Sequence, residues 1–520
     1  MVCISMLIRA NHANKVQYIK GGLMESTGSH FKRFIFILID GAPYEIFKGL
    51  IENGDLPNIK KHVVDRGSLN KAVSVFPSTT GPAFIPFFMG LYPGTANIPG
   101  IRWLSKSKLH APHRFKSPGI CSYMGLDGLH FEADLPPSSP TLFDFFSPVS
   151  NIYNLLARGC PSSKNLTRWI KPFVYTYAHF SHRWRFVNQI AVRHLHKAVE
   201  AGDKFVMCLF PAVDTLSHLT EIQSPRVIQT YREIDTAVGN LVHTLQKMNT
   251  LQETLILITS DHGMTDTHTH IDIPQHLDAG GWRCLHYPKI WRQGTVSASM
   301  VSGNGMTHLY FKNNSDGKGW GERTPFEKLH KMGVIGSLIE LNGLGLVAGQ
   351  SETGDIIVQN RGGQGRISCR SGHTDHGDLR NVAMAFKCAD ALRFSYQFTG
   401  KDPLGYGVSY ENLSSQETLR ETYDRPYPDG IVQLWQIFKS ERTGDLVLSA
   451  ENGYDLRARY EIPEHHATHG ALIAEHLHIP LATNYPITEQ CIRSVDVFPT
   501  VLSLCGHNVA EHHIDGRVVK

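Results

Sequence analysis

Three uninterrupted apolar runs, each cut off at or near an aspartate, constrain this 520-residue chain more than any other feature. Residues 34–39 (FIFILI) stop at Asp40-Gly41, residues 204–211 (KFVMCLFP) lead to Asp214, and residues 254–260 (TLILITS) stop at Asp261-His262-Gly263. A strand that is apolar on both faces must be covered on both faces, which is the condition of a parallel sheet held between helices. Residues 221–248 predict a helix between the second and third strands, because Ile228, Ile234, Val238, Leu241 and Leu245 recur at helical spacing. Two later strands are predicted at 382–386 and Leu446–Ala450. The expected fold is α/β, with a mostly parallel central sheet and helices on both faces.

Around this frame the chain divides unevenly. Residues 1–30 are polar and read as a flexible lead-in. Residues 31–294 and 441–520 carry the α/β pattern, and the Gly-rich 295–440 stretch reads as an inserted cap subdomain. A second irregular segment, 105–200, has Pro-rich turns followed by the aromatic and basic residues 169–199; they read as a helix packed on the sheet, with a substrate-facing or membrane-facing lid as the alternative. Lys+Arg number 51 against 47 Asp+Glu, a net charge of +4, which does not support a nucleic-acid-coating or polybasic membrane protein. With 41% hydrophobic and 19% charged residues, wholesale disorder is excluded. The nine cysteines show no CxxC pairing, so a reducing compartment is the simpler expectation. The apolar run at the start is broken by Arg9, too short for a secretory h-region, and no stretch has the roughly 18 apolar residues of a membrane span. A soluble, cytoplasmic protein is the default expectation, with peripheral membrane contact left open.

In parallel α/β sheets, ligands bind at the carboxyl ends of the strands. Asp40, the Asp214/His218 pair and the Asp261/His262 pair all fall at that edge. Asp214 and His218 are four apart, so on a helix they share a face. Further imidazole comes late, in His465-His466-Ala467-Thr468-His469-Gly470, and the chain holds 29 histidines in all. Mixed carboxylate and imidazole ligands suit zinc or a similar divalent ion, whereas calcium takes oxygen alone. Singly, each of these is bland: Asp ends many strands, and Asp214/His218 is also what a helix cap and a surface His look like. Their coincidence at three strand ends is not a turn preference. Phe76-Pro77-Ser78-Thr79-Thr80-Gly81-Pro82-Ala83 adds hydroxyls ahead of an apolar helical stretch at 84–91. A Thr there is most often an N-cap, but a helix start also suits a phosphate, and a neighbouring metal would make the hydroxyl a nucleophile.

These pieces together resemble the alkaline phosphatase superfamily, in particular its type I phosphodiesterase/nucleotide pyrophosphatase branch. The matching segments are FILIDG, FPSTTGPAF through LYPGT, VDTLSHLTE, TSDHGM, ATHGALIAEHLHIPL and the closing RSVDVFPTVLSLCG…IDGRVV, spread over roughly 31–100, 204–267 and 445–518. The resemblance implies two divalent metal ions, zinc first with manganese as the alternative. One would be held by Asp40, Asp261, His262 and the nucleophile, the other by Asp214, His218 and His469. The family's spacing from the Phe of Phe-Pro selects Thr80 over Thr79 as nucleophile. It also places an Asn three residues beyond, where this chain has Ala83, so one donor to the phosphoryl group is missing or comes from elsewhere; Arg102 and Trp103 are nearby in sequence. His373 and His376, in SGHTDHG, imitate the His469 motif, but His469 is followed by the Pro-Leu strand and the closing segment. The Cys-x-Pro-x-Arg of sulfatases is absent at the nucleophile position. The expected activity is metal-dependent hydrolysis of a small-molecule or lipid phosphate ester, of phosphodiesterase type, through a phosphothreonine. A phosphotransferase or phosphomonoesterase on the same scaffold, or a non-catalytic binding protein, are the alternatives.

Overall fold

Arg33–Ile39 is a strand with every residue buried, and its neighbours explain the apolar run. It lies between Phe205–Phe210 and Thr254–Thr259, both parallel to it, with Phe34 opposite Phe205 on one side and Leu38 opposite Thr259 on the other. The computed structural model describes residues 31–109, 119–313, 319–371, 392–457, 464–509 and 512–520. The central sheet has seven strands, in the order Ile492–Arg493, Ser68–Val73, His478–Thr483, Thr254–Thr259, Arg33–Ile39, Phe205–Phe210, Val149–Ile152. Only His478–Thr483 runs against its two neighbours, so the sheet is mostly parallel, as expected. Phe34 stacks on Phe205 at 5.2 Å and Phe36 on Phe88 at 5.7 Å. The helix expected between the second and third strands is Pro225–Lys247, and it buries Ile234, Val238, Leu241 and Leu245. Each such side chain removed from water contributes roughly 1.5–3 kcal/mol.

Residues 169–199 were expected to form one helix on the sheet, and they form two. Trp184–Glu200 packs Val187, Ala191, Leu195 and Val199 into the core, whereas Lys171–Ser181 buries Ala178 alone. The break is His182, at φ 55°. A left-handed His has no Gly or Pro beside it to announce the turn.

A second, nine-stranded sheet runs from Cys284–His286 through Ser297–Ser302, Met306–Phe311, Leu446–Ala450, Leu344–Gln350, Ile356–Gln359, Gly363–Ser371 and Leu392–Gly400 to Tyr410–Ser414. Its pairings are antiparallel except the first. Leu446–Ala450, expected as a strand, sits in the middle of it, and the segment predicted at 382–386 lies outside the described residues. No helix among the described residues is long and apolar enough to cross a membrane.

The two sheets are tied through the Gly430–Ile437 helix. Gln433 Oε1 accepts from Phe76 N at 2.9 Å and Gln436 Nε2 donates to Phe76 O at 2.7 Å, so this helix holds the start of the Thr80 loop. Its own start is held by Arg493, whose Nε and Nη2 donate to the two oxygens of the buried Asp429 at 2.7 and 2.6 Å. Removing one partner of a buried pair strands the other charge. Arg493→Met is therefore expected to cost about 3–5 kcal/mol in urea unfolding, and adding Asp429→Asn should recover part of that loss.

Candidate active site

Asp40 follows the first strand directly, and the chain can turn there because Gly41 has φ +70°, with Asp214 Cβ 2.9 Å from where a Cβ would stand. Asp214 and His218 lie on one face of the Ala212–Leu219 helix, with His218 Nε2 3.3 Å from Asp214 Oδ1. Asp261 and His262 follow the Thr254–Thr259 strand; His262 Nε2 is 3.4 Å from Asp261 Oδ2 and 3.6 Å from Asp40 Oδ1. His469 Nε2 reaches Asp214 Oδ1 at 3.7 Å, and its ring stacks on His262 at 3.8 Å. Thr80 closes the set. Its Oγ1 donates to Asp40 Oδ1 at 3.2 Å and stands 3.2 Å from His262 Nε2. All seven residues singled out in the sequence thus lie in one cluster. His373 and His376 lie outside the described residues.

Thr80 is not a helix cap. The short helix behind it begins with a tight turn at Pro82–Phe84, its N-cap is Gly81, and no side chain caps it. Thr79, next door, is buried with its hydroxyl unpartnered within the protein, so only one of the two hydroxyls faces the carboxylates.

The three histidines are oriented alike. His218 Nδ1 lies 2.7 Å from Ala467 O, His262 Nδ1 3.1 Å from Gly263 O and His469 Nδ1 3.0 Å from Ser78 O. A carbonyl only accepts, so each Nδ1 carries a proton and each Nε2 is turned toward the carboxylates. Gly303 permits the close approach: a Cβ there would stand 2.6 Å from His469 Nδ1. His465 is half-stacked on His218 at 4.5 Å and bonds Asn304 Nδ2 at 2.9 Å, which braces the His218 ring.

Electrostatically the cluster is unbalanced. Burial, and then the charges of Asp261 and Asp214, raise the Asp40 carboxyl well above its usual range. Burial also raises Asp261, with His262 opposing. Burial would raise Asp214 too, but His218, His469 and His262 outweigh it and hold Asp214 below the usual carboxylate range. Burial and His262 keep His469 neutral, its pKa well below the ordinary value. Asp214 Oδ1 and Asp261 Oδ2 are buried and receive no hydrogen bond from the protein. Carboxylate oxygens facing imidazole lone pairs are the donor set of a divalent cation. Two groups have the geometry to hold one, Asp214/His218/His469 and Asp40/Asp214/His262, each with its ligand atoms within 4.8 Å of one another.

One charged residue here had no signal in the sequence motifs. Lys171, at the start of its helix, turns inward and donates to Tyr153 O at 2.8 Å; burial lowers its pKa to about 8, while the Asp40 charge pulls the other way. Only the topology brings residue 171 to the strand edges. Arg102, by contrast, lies over the Tyr287 ring at 4.9 Å.

The Asp40 environment has a measurable consequence. A carboxyl raised in the folded state loses stability as pH rises from the ordinary carboxylate range through the raised value. In chelator-treated protein at neutral pH, Asp40→Asn is expected to raise stability, because it removes a carboxylate whose ionisation the folded site opposes. The gain should vanish below about pH 4, where the unfolded carboxyl is itself protonated; thermal unfolding against pH reads it directly.

The chain matches the profile of the family described as type I phosphodiesterase / nucleotide pyrophosphatase over residues 153–324, a stretch that holds Lys171, Asp214, His218, Asp261 and His262. No curated protein matches the sequence. Among solved structures, a phosphonoacetate hydrolase from Sinorhizobium meliloti 1021, in complex with phosphonoacetate, superposes with a TM-score of 0.53 at 14% identity, covering 92% of this chain and 95% of that one. Murine ectonucleotide pyrophosphatase / phosphodiesterase 5 gives 0.52 at 11% identity, covering 93% and 99%. The human form gives 0.51 at 11%, covering 93% and 98%. At these identities the structural likeness speaks for the fold, and the family profile speaks for the sequence. In motif order, family profile and fold, the chain is similar to the type I phosphodiesterase/nucleotide pyrophosphatase branch of the alkaline phosphatase superfamily.

Proposed function

We propose that the protein is a metal-dependent phosphoric ester hydrolase that works through a phosphothreonine on Thr80. The observation that carries this reading is the position of the Thr80 hydroxyl, 3.2 Å from both Asp40 Oδ1 and His262 Nε2. Asp40, Asp261 and His262 would hold one divalent ion, and Asp214, His218 and His469 a second, zinc suiting the mixed donors best. When bound, such ions supply Lewis acidity toward the phosphoryl oxygens and lower the pKa of a neighbouring hydroxyl. The chain's own residues do the rest. Asp40 orients the Thr80 hydroxyl, the carbonyl-fixed Nδ1 protons keep each imidazole in one tautomer, and Lys171 places a cation at the same edge. Thr80 Oγ gives up its proton and attacks phosphorus as the P–O bond to the leaving alkoxide breaks and that alkoxide takes up a proton; water then cleaves the Thr80 Oγ–P bond, returning a proton to Thr80 and releasing phosphate from a monoester or a phosphomonoester from a diester. One of the similar structures is an inactive threonine-to-alanine form of murine ectonucleotide pyrophosphatase / phosphodiesterase 5 in complex with AMP, which is in keeping with a threonine-dependent reaction on a phosphate ester.

The test is covalent. Thr80→Ala should reduce turnover by at least about a thousandfold, the order expected when an activated nucleophile is removed. Thr79→Ala should leave most of it. Quenching wild type with labelled substrate should place phosphate on Thr80; label on Thr79 would refute the assignment. Chelation should abolish turnover, and zinc or manganese should restore it with close to two ions per chain by elemental analysis.

Ester class follows from the donors. Ala83 is fully buried with an apolar side chain, so the position offers no donor to a phosphoryl oxygen. A monoester presents three non-bridging oxygens and nearly two charges, and a missing donor of this kind costs on the order of 3 kcal/mol in the transition state. Lys171 supplies one cation, already engaged with Tyr153 O. A diester, with one charge, asks for less. We therefore expect a higher kcat/KM for bis(p-nitrophenyl) phosphate than for p-nitrophenyl phosphate; a tenfold preference for the monoester would overturn this.

A further inference from the structure

The Lys171–Ser181 helix has its polarity reversed. Phe173, Tyr177 and Phe180, at i, i+4 and i+7, form one stripe, and they point to solvent with exposures of 78%, 46% and 80%. Trp169, just before the helix, is 74% exposed and Ile170 is 37% exposed. The opposite face holds Lys171, which bonds Tyr153 O, and Tyr175, which packs on Tyr153 and Trp184 at 5.4 and 5.3 Å. The one Lys of the helix is inside and three of its four Phe and Tyr residues are outside. Contiguous exposed apolar surface of this kind marks an interaction site.

Charge says what kind. From residue 145 to 199 the sequence contains no Asp or Glu and eight Lys or Arg. Of these, Arg168, Arg183 and Arg185 are exposed around the stripe, with Arg168 over the Trp169 ring at 5.3 Å. A surface cavity of about 520 Å³ opens beside the stripe, lined among others by Tyr177, His182, Arg183, Arg185, Phe186 and Arg226. Arg185 is paired with Glu233, whereas Arg183 donates to Tyr177 OH and Arg226 to His182 O, which leaves both guanidinium charges without a carboxylate in those bonds. Trp and Phe on a helix face, rimmed by Arg and with no acidic residue in the segment, match the interface between headgroups and acyl chains of an anionic bilayer.

We propose that this face docks on a lipid bilayer bearing anionic phospholipid, with Trp169, Phe173, Tyr177 and Phe180 seated in the interface and Arg168 and Arg183 on the phosphates. The docking stands independently of the chemistry at Thr80. It would bring the Lys171 side of the same helix, and the strand edges beyond it, within about one helix diameter, ~10 Å, of the surface.

Vesicle co-sedimentation tests it with the full chain. Binding to phosphatidylcholine vesicles containing phosphatidylglycerol should exceed binding to phosphatidylcholine alone by about tenfold or more and weaken with salt. Phe173→Ser/Phe180→Ser should lower binding by about tenfold or more while leaving the thermal midpoint in place, and Arg168→Glu/Arg183→Glu should remove the preference for the anionic lipid. Failure to bind either vesicle, or equal binding of wild type and the Phe double variant, overturns the proposal. So does a dimer in sedimentation velocity that the Phe substitutions abolish, which would assign the face to a second copy of the chain.

Discussion

Everything at the centre of this molecule depends on three carboxylates brought together, Asp40 and Asp261 buried and Asp214 half-buried. Asp40, Asp214 and Asp261 come from three strand ends, and the strands that deliver them are adjacent and parallel. Buried like charges raise one another's proton affinity, and two of the three are raised here. Hydrogen bonds from the protein relieve this only in part, since Asp214 Oδ1 and Asp261 Oδ2 receive none. The histidines relieve it at Asp214, which they hold below the usual carboxylate range, and only oppose it at Asp261. What remains is a ring of carboxylate oxygens and imidazole Nε2 atoms facing each other across 3.3–3.7 Å. Such an arrangement has the donor set that suits positive charge at its centre.

That constraint reaches out to the second sheet. His469 is fixed by Ser78 O on one side and by the close approach of Gly303 on the other, and Gly303 belongs to the turn between Ser297–Ser302 and Met306–Phe311. The Thr80 loop is gripped at Phe76 by Gln433 and Gln436, and that helix is anchored by Arg493 on Asp429. The antiparallel sheet is therefore part of what sets the geometry of the cluster. A change far from Thr80, at Gly303 or Asp429, acts on the same few ångströms as a change in a ligand.

The central strands were legible because burial on both faces writes itself as an unbroken apolar run, and the Pro225–Lys247 helix because half-burial writes itself as a period. The cluster of carboxylates and imidazoles was legible because its residues sit at the ends of those elements in fixed local spacings. What was not legible is what depends on distant contacts. Asn304 braces His465, and Lys171 reaches the strand edges, only through tertiary packing. His182 breaks the 169–199 segment in two by adopting a left-handed backbone conformation that few non-glycine residues take and that no Gly or Pro announces. The composition of that segment, aromatic and basic, gave both a packed helix and a lid, and the two halves divide the readings: Trp184–Glu200 is the packed helix, and Lys171–Ser181 is the one with its aromatics in solvent.

The division matters for how the donor missing at Ala83 is to be understood. Ala83 packs with Phe76, Tyr92, Leu472 and Val495 in the apolar cluster beneath the threonine loop, so a polar side chain there would have to be buried in that cluster or displace the loop. A positive charge lies elsewhere at the edge, on Lys171, in a helix outside the sequence motifs. A lysine is a single point charge on a flexible stem, whereas an amide is a directed donor. Exchanging one for the other trades a fixed hydrogen-bond direction for net charge. Because burial brings the Lys171 pKa to about 8, that charge is itself held close to its titration, and it depends on how far the helix stays seated on Tyr153 and Trp184.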